Sequence, residues 1–270
     1  MTHVTTLHLS REDDCSVLDF TLCQFQDMLR QCPVLEVLVL SGDLRIHRNA
    51  IPEPIEPVSL PYLRSFQLFV SGDTLSFEAA LGSIDASRLE DLVYAKFRIV
   101  DMVRCSRLFN GMTLSSVKTM TLSPATSGDY LGLWMATSCF PNVEHLILPN
   151  LIGDQNTLDF MATQKVFWPG LRTLALRNID PLAEDKVCRL VSALKRTGCA
   201  LRTLYLDEKS MKSSFAGLKN EVEVVCADPW MARLRNFGII GPDEDVAAAD
   251  RFVGLAGLNA CRRRESWILA

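Results

Sequence analysis

The stretch FWPGLRTLALRNI, Phe167 to Ile179, decides how this chain is to be read. A near copy, CFPNVEHLILPNL, fills Cys139 to Leu151, and CALRTLYLDEK opens at Cys199. All three share the frame φ-x-x-φ-x-φ, with φ an apolar residue. Moving outward, the frame also fits Val4-Leu7-Leu9, Leu35-Leu38-Leu40, Leu63-Phe66-Leu68, Leu89-Leu92-Tyr94 and Val117-Met120-Leu122. It holds in Val143-Leu146-Leu148, Leu171-Leu174-Leu176 and Leu201-Leu204-Leu206, and a weaker ninth copy reads Val222-Val225-Ala227. The first eight copies begin 26 to 31 residues apart. A fixed period of that size marks a repeat architecture, and leucine-rich repeats run at about 20–29 residues with one strand and a return segment each.

The residues between the frames are expected to return as helices. Leu18, Leu22, Phe25 and Leu29 recur at helical intervals, and Cys32-Pro33 stops that run before the next frame. Val187, Leu190, Val191 and Leu194 repeat the pattern, with Gly198 as the stop. Phe77, Leu81 and Ile84 form a shorter version. IPEPIEPVSLP, Ile51 to Pro61, carries four prolines and is expected to return as an extended loop. The expected fold is α/β: a leucine-rich-repeat solenoid of the ribonuclease-inhibitor kind, with parallel strands on the concave face and helices on the convex face. Residues 1–228 form the solenoid of about eight or nine units, since each unit buries its apolar face only against a neighbour. Residues 229–270 read as a C-terminal capping segment, with an acidic first turn and a basic end.

The residue after the first φ is Glu36, Arg64, Glu90, Lys118, Glu144, Arg172 and then Arg202. In stacked parallel strands about 4.8 Å apart these form one column that alternates in sign until its last step. Opposite charges side by side are mildly favourable and like charges are not, so the column fixes a register.

Composition narrows the function classes. The chain has 270 residues, 48% of them hydrophobic, and a net charge of −4. A chain with a pI near 5.6 is not built as a nucleic-acid binder. No apolar run nears the roughly 20 residues of a membrane span. No secretory signal opens MTHVTTLHLS, and the nine cysteines include no Cys-x-x-Cys pair. The expectation is an intracellular, reducing compartment, cytoplasmic or nuclear, with buried thiols acting as small hydrophobes.

The phrases LRQCPVLEVLVLSG (Leu29–Gly42), LPYLRSFQLF (Leu60–Phe69), CFPNVEHLIL and FWPGLRTLAL carry a repeated [FWC]-P-x-L-[ER]-x-L-x-L element. In this the chain resembles the repeat region of fungal F-box/leucine-rich-repeat proteins, over about Val4 to Asp228. The resemblance implies a substrate-recognition region: in that family an F-box binds a Skp-type adaptor, and the repeats hold a protein substrate for a cullin-based ubiquitin ligase. The chain opens inside the first frame, so an F-box, and with it a Skp-type adaptor, is expected only upstream of Met1. The Asn of the usual leucine-rich frame is replaced by Glu12, Asp43, Ser71, Phe97, Ala125, Leu151, Ile179 and Lys209. A rival reading is a GTPase activator resembling the Ran GTPase activators, which share long helical repeats. Those carry an acidic tail, whereas this chain ends in CRRRESWILA. A third is a truncated, inactive gene product.

No motif for catalysis, cofactor or metal binding emerges, so none is expected. His3, His8, His47 and His145 are scattered, and only His8 and His145 fall on a shared strand face, five repeats apart. Cys32, Cys139 and Cys199 sit just before strands with no base beside them. GIIG at Gly238–Gly241 runs into Pro242, which does not suit a dinucleotide turn. RRES, Arg263 to Ser266, matches a basophilic kinase preference, but four-residue matches are common by chance and a solvated basic stretch is the favoured reading. The candidate site is therefore the strand face that alternates with the buried frame, expected to be neutral and dominated by Thr and Val. Val39, Gln67, Val93, Thr121, His145, Ile147, Thr173 and Tyr205 are its partner-binding candidates. Tyr205 is expected to be an exposed aromatic anchor, and a protein is the expected partner.

Overall fold

The computed structural model describes residues 3–10, 18–42, 44–47, 56–70, 75–98, 103, 113–124, 132–149, 155–163, 168–177, 179, 183–207, 210, 215, 218 and 221–226. The capping segment at 229–270, GIIG and RRES lie outside them. In chain order the strands are β1 (Thr6–Ser10), β2 (Leu18–Thr21), β3 (Val37–Gly42), β4 (Leu44–His47), β5 (Val58–Ser59), β6 (Ser65–Val70) and β7 (Ile84–Asp85). They continue as β8 (Asp91–Phe97), β9 (Thr119–Pro124), β10 (His145–Leu148), β11 (Thr173–Leu176), β12 (Thr203–Leu206) and β13 (Glu223–Val225). The helices are α1 (Leu22–Arg30), α2 (Leu75–Gly82), α3 (Gly132–Cys139), α4 (Gln155–Thr163) and α5 (Glu184–Arg196).

Nine strands form one parallel sheet in chain order, β1-β3-β6-β8-β9-β10-β11-β12-β13. The middle apolar residue of each frame falls in a single register line: Leu7, Leu38, Phe66, Leu92, Met120, Leu146, Leu174, Leu204 and Val224. From Leu38 to Leu204 every member of that line is buried. They join the first and last φ residues and the inner faces of the helices in one continuous core. This mixed α/β stack with a large parallel sheet in sequence order agrees with the fold expected from the repeated frame.

The proline of the repeated phrase has a local cause. The amide of the first φ donates to the carbonyl three residues earlier: Leu35 to Cys32, Leu63 to Leu60, Leu89 to Ala86, Val117 to Leu114 and Leu171 to Trp168. This closes a β-turn whose second position favours proline, and Pro33, Pro61 and Pro169 stand there. The turn's first residue points inward: Cys32, Leu60, Ala86 and Trp168 are buried, and Leu114 is partly buried against the core. Trp168 also donates its indole N–H to the Phe140 carbonyl, which ties one repeat to the one before.

The charge column is a backbone ladder. The amides of Arg64, Glu90, Lys118, Glu144, Arg172 and Arg202 each donate to the carbonyl of the preceding member. Within it Glu144 meets Lys118 at 3.0 Å and Arg172 at 3.1 Å. On the helical side, Asp159 of α4 meets Lys186 at 2.8 Å and Arg189 at 3.0 Å, both on α5. The α5 helix buries Val187, Leu190, Val191 and Leu194, as expected. Glu184 and Asp185 open it and Lys195 and Arg196 close it, which suits the helix dipole. Gly198 follows with φ at +83°, a left-handed conformation that favours glycine at a helix end.

Four local expectations are corrected. Leu18 belongs to β2, not to the first helix: the extended run Leu18–Thr21 pairs with Leu44–His47. The helix starts only after Thr21, whose hydroxyl accepts from the Gln24 amide at 3.2 Å while the Gln24 side chain accepts from the Thr21 amide at 2.9 Å. That reciprocal cap fixes the boundary. Ile84 similarly lies in β7, where Ile84–Asp85 pairs with Val58–Ser59, so the described end of the proline-rich return is a short strand; the part from Ile51 to Ile55 lies outside the described residues. Finally, the ninth copy is displaced by one residue. Leu204 pairs with Val224, not Val225. Glu221 donates to Leu218 in the turn, so Glu221 occupies the place of the first φ and Val222 that of the charge column.

Candidate functional site

Successive side chains of a strand point to opposite faces, so the residues between the buried φ positions gather on a second face. Two columns form there. One runs Thr6, Val37, Ser65, Asp91, Thr119, His145, Thr173, Thr203, Glu223. The other runs His8, Val39, Gln67, Val93, Thr121, Ile147, Ala175, Tyr205, Val225. All eight candidate residues therefore lie on this face. Val39, Gln67, Val93, Thr121, Ile147 and Tyr205 share the second column, and His145 and Thr173 are neighbours in the first.

Their exposure differs from expectation. Val39, Gln67, Val93, Thr121 and Ile147 are buried, while His145, Thr173 and Tyr205 are half-buried, so Tyr205 is not an exposed anchor. Burial is greatest from β6 to β9 and fades toward exposed His8 and Glu223 at the two ends. The apolar members Val39, Val93, Ile147 and Ala175 are buried yet stand apart from the contiguous core of the other face. Alternation predicts which way these side chains point. It does not predict burial, because Thr and Val suit exposed and covered strands alike.

The first column is polar from Ser65 to Glu223 and is stitched across strands. Ser65 donates its hydroxyl to Asp91 Oδ2 at 2.6 Å, and Gln67 donates Nε2 to Ser65 Oγ at 3.0 Å. His145 Nδ1 lies 2.8 Å from Thr173 Oγ1, and the Thr203 hydroxyl reaches Glu223 at 3.4 Å. The side-chain oxygen of Gln67, Oε1, is buried and accepts no hydrogen bond among the described residues. Burial holds His145 below the ordinary histidine range, opposed by Glu144 and aided by Arg172, so this imidazole is largely neutral at pH 7. The two columns are thus not neutral. Their formal charges are Asp91 and Glu223, with no lysine or arginine in either. That signal was present in the register of the frame.

Chemistry elsewhere is sparse. His8 and His145 stand on strands five steps apart in the sheet, about 24 Å at 4.8 Å per step, too far for one metal. Among the described residues no group of three or more His, Cys, Asp or Glu is placed to hold a metal ion. Burial pushes the Cys139 thiol up to about 11 and raises those of Cys32 and Cys199, which makes them poor nucleophiles at neutral pH. The Cys199 thiol instead donates to the Leu171 carbonyl at 3.3 Å. No helix among the described residues is long and apolar enough to cross a membrane.

No family model matches the chain, and no curated protein matches it. Solved structures do. The leucine-rich-repeat-containing protein LegL7 from Legionella pneumophila superposes with a TM-score of 0.50 at 15% identity, over 85% of each chain. A protein from Bacteroides fragilis covers 78% of this chain and 51% of its own, at 16% identity and a TM-score of 0.41. At 15% identity the likeness to LegL7 is one of architecture: the fold is of the leucine-rich-repeat type.

Proposed function

We propose that the chain is a protein-binding leucine-rich-repeat module that holds its partner on the concave strand face and catalyses nothing. The carrying observation is the second face of the sheet. It gathers all eight candidate residues in two adjoining columns, and its apolar members lie outside the contiguous core of the other face. Curved stacks of repeats present extended surfaces of this kind to partners. The finer reading is the substrate-recognition region of an F-box-type ubiquitin ligase adaptor, supported by the [FWC]-P-x-L-[ER]-x-L-x-L phrases. A Skp-type adaptor belongs to that reading only if an F-box precedes Met1. The cysteine pattern of the sequence, nine residues without a Cys-x-x-Cys pair, suits a reducing, cytoplasmic or nuclear setting.

The test is affinity capture with the whole chain as bait, beside Tyr205→Ala and His145→Ala. Both residues are half-buried, so truncation there trims the face without emptying the core. Loss of one and the same partner in both variants, with unchanged melting, supports the reading. A partner retained by both, or GTP hydrolysis by a small GTPase accelerated by the chain, contradicts it. Ubiquitin transfer to the captured partner in a reconstituted ligase carrying the full gene product tests the finer reading.

A further inference from the structure

We infer that copies of this chain associate head to tail, the outer edge of β13 in one copy pairing in parallel with the outer edge of β1 in the next. The surface is the two ends of the sheet, and the partner is a second copy of the chain. One bond repeats at every inner step of the stack. The amide that opens a strand donates to the strand before it: Val37 to the Thr5 carbonyl, Ser65 to Glu36, Asp91 to Arg64, Thr119 to Glu90, and so on to Glu223 and Arg202. Thr6 opens β1 in the same position, and no described strand precedes it. Successive residues of a strand turn their amides and carbonyls to opposite sides, so Thr6 and His8 face away from β3. By the same alternation Glu223 faces β12 and Val224 faces away from it. No described strand follows β13. Thr6, His8 and Glu223 are exposed, and Leu7, Val224 and Val225 are half-buried.

The two ends fit each other better than either fits itself. A strand added beyond β13 in the running register sets Glu223 against Thr6, Val224 against Leu7 and Val225 against His8. Val224 then offers its amide to the Thr6 carbonyl and its carbonyl to the His8 amide, which continues the parallel ladder. The side chains match by column. Val224 and Leu7 belong to the middle φ line, and each gains the second neighbour that the buried members of that line already have. Glu223 accepts from the Thr203 hydroxyl at 3.4 Å on one side and receives Thr6 on the other. Charge agrees: residues 221–226 hold Glu221 and Glu223 and no cation, while residues 3–10 hold two histidines and no carboxylate. A tail-to-tail contact would gather the glutamates. A head-to-head contact would have to run antiparallel, unlike every joint of this sheet, and would leave the β13 edge unpaired. Natural edge strands are guarded by lysine, proline or a bulge. β1, with the sequence TLHLS, has none of these and pairs with β3 without a register shift.

The test is sedimentation of the full chain across a concentration series. The weight-average mass is expected to rise at least about twofold, since a head-to-tail contact repeats into a ring or a filament. Amide exchange at Thr6–Ser10 is expected to slow as the concentration rises. Thr6→Pro removes an amide that faces away from β3 and puts a ring in the path of the incoming strand. Val224→Pro does the same at the tail. Each variant alone is expected to stay monomeric, with the melting temperature of dilute wild type. An equimolar mixture is expected to form a one-to-one dimer and nothing larger, because one intact head meets one intact tail. A wild type that stays monomeric throughout, or two folded variants that do not dimerise when mixed, overturns the inference. So does association lost in Thr6→Pro and kept in Val224→Pro, which would assign a head-to-head contact. His8→Cys with a short bismaleimide serves where Val224→Pro melts early. Cys226 is exposed and stands one residue past the expected partner of position 8. Within one copy the two positions lie at opposite ends of the nine-stranded sheet, so a link between them joins two copies. Mass spectrometry of the cross-linked dimer is expected to find position 8 joined to Cys226; a dimer joined only through Cys23 contradicts the joint.

Discussion

Strands β1 and β11 carry the same frame and meet different fates. In β11, Leu174 and Leu176 have no accessible surface; in β1, Leu7 and Leu9 are only half-buried. The residues are alike, and so is the pairing, parallel and in register on the inner side. What differs is the number of neighbours. β11 has β10 and β12, whereas β1 has β3 alone among the described strands. The last strand shows the same effect, since Val224 is half-buried where Leu204 beside it is buried. Burial in this molecule is conferred by the adjoining repeat, not by the sequence of the repeat itself.

The largest expected effect follows directly. Leu174→Ala should cost about 2–5 kcal/mol, the range for a fully buried leucine. Leu7→Ala should cost less than half as much, since part of the side chain is already in water. Denaturant melts of the two variants check this. Arg172→Ala, on an exposed side chain, serves as the near-neutral control; Arg177, by contrast, is 9% exposed and would not serve.

A smaller effect tests whether the early units rest on local as well as neighbour contacts. Thr21→Ala removes the hydroxyl that accepts from the Gln24 amide, leaves the backbone half of the α1 cap, and should cost about 1 kcal/mol. Thermal melts with helix content followed by circular dichroism measure it. A loss near zero would mean that packing on Phe25 and Leu29 alone holds the helix in place.

The smallest effect concerns the charge column. Glu144 has a cation on each side, and its hydrogen bond to Lys118 and the charge of Arg172, outweighing partial burial, hold its carboxyl below the usual range. A lowered folded-state pKa gives stabilisation that is present above the ordinary glutamate pKa and is lost as pH falls through the folded value. Glu144→Gln should therefore cost about 0–1 kcal/mol near neutral pH. The gap between variant and wild type should close in acid melts, below the usual glutamate range. A gap that persists in acid would assign the loss to packing instead.

Much of this was legible in the sequence because it is periodic. The middle φ line, the charge ladder and the buried stripe of α5 each repeat at spacings that geometry dictates. The departures have separate causes. The strand at Leu18–Thr21 exists only because Leu44–His47 lies beside it, a pairing without a local signal. The capping pair Thr21 and Gln24 was visible as Thr-x-x-Gln and was obscured by the apolar interval beginning at Leu18. The ninth copy slipped because Val222 and Val225 mimic a frame, while the turn at Leu218 set the register one residue away. On the second face, strand alternation placed Val39, Gln67 and Tyr205 correctly. Their degree of burial is not set by alternation, which fixes the direction of a side chain and not how closely its neighbours cover it.

Native-state hydrogen exchange tests the neighbour account most directly, by comparing Thr5–Leu9 with Thr173–Leu176 in the same intact chain. The account predicts that the first group opens well before the second and exchanges through local fraying, while the second exchanges only with global unfolding. Equal protection at both places would contradict it and would mean that the first strand is covered as completely as those in the middle of the stack.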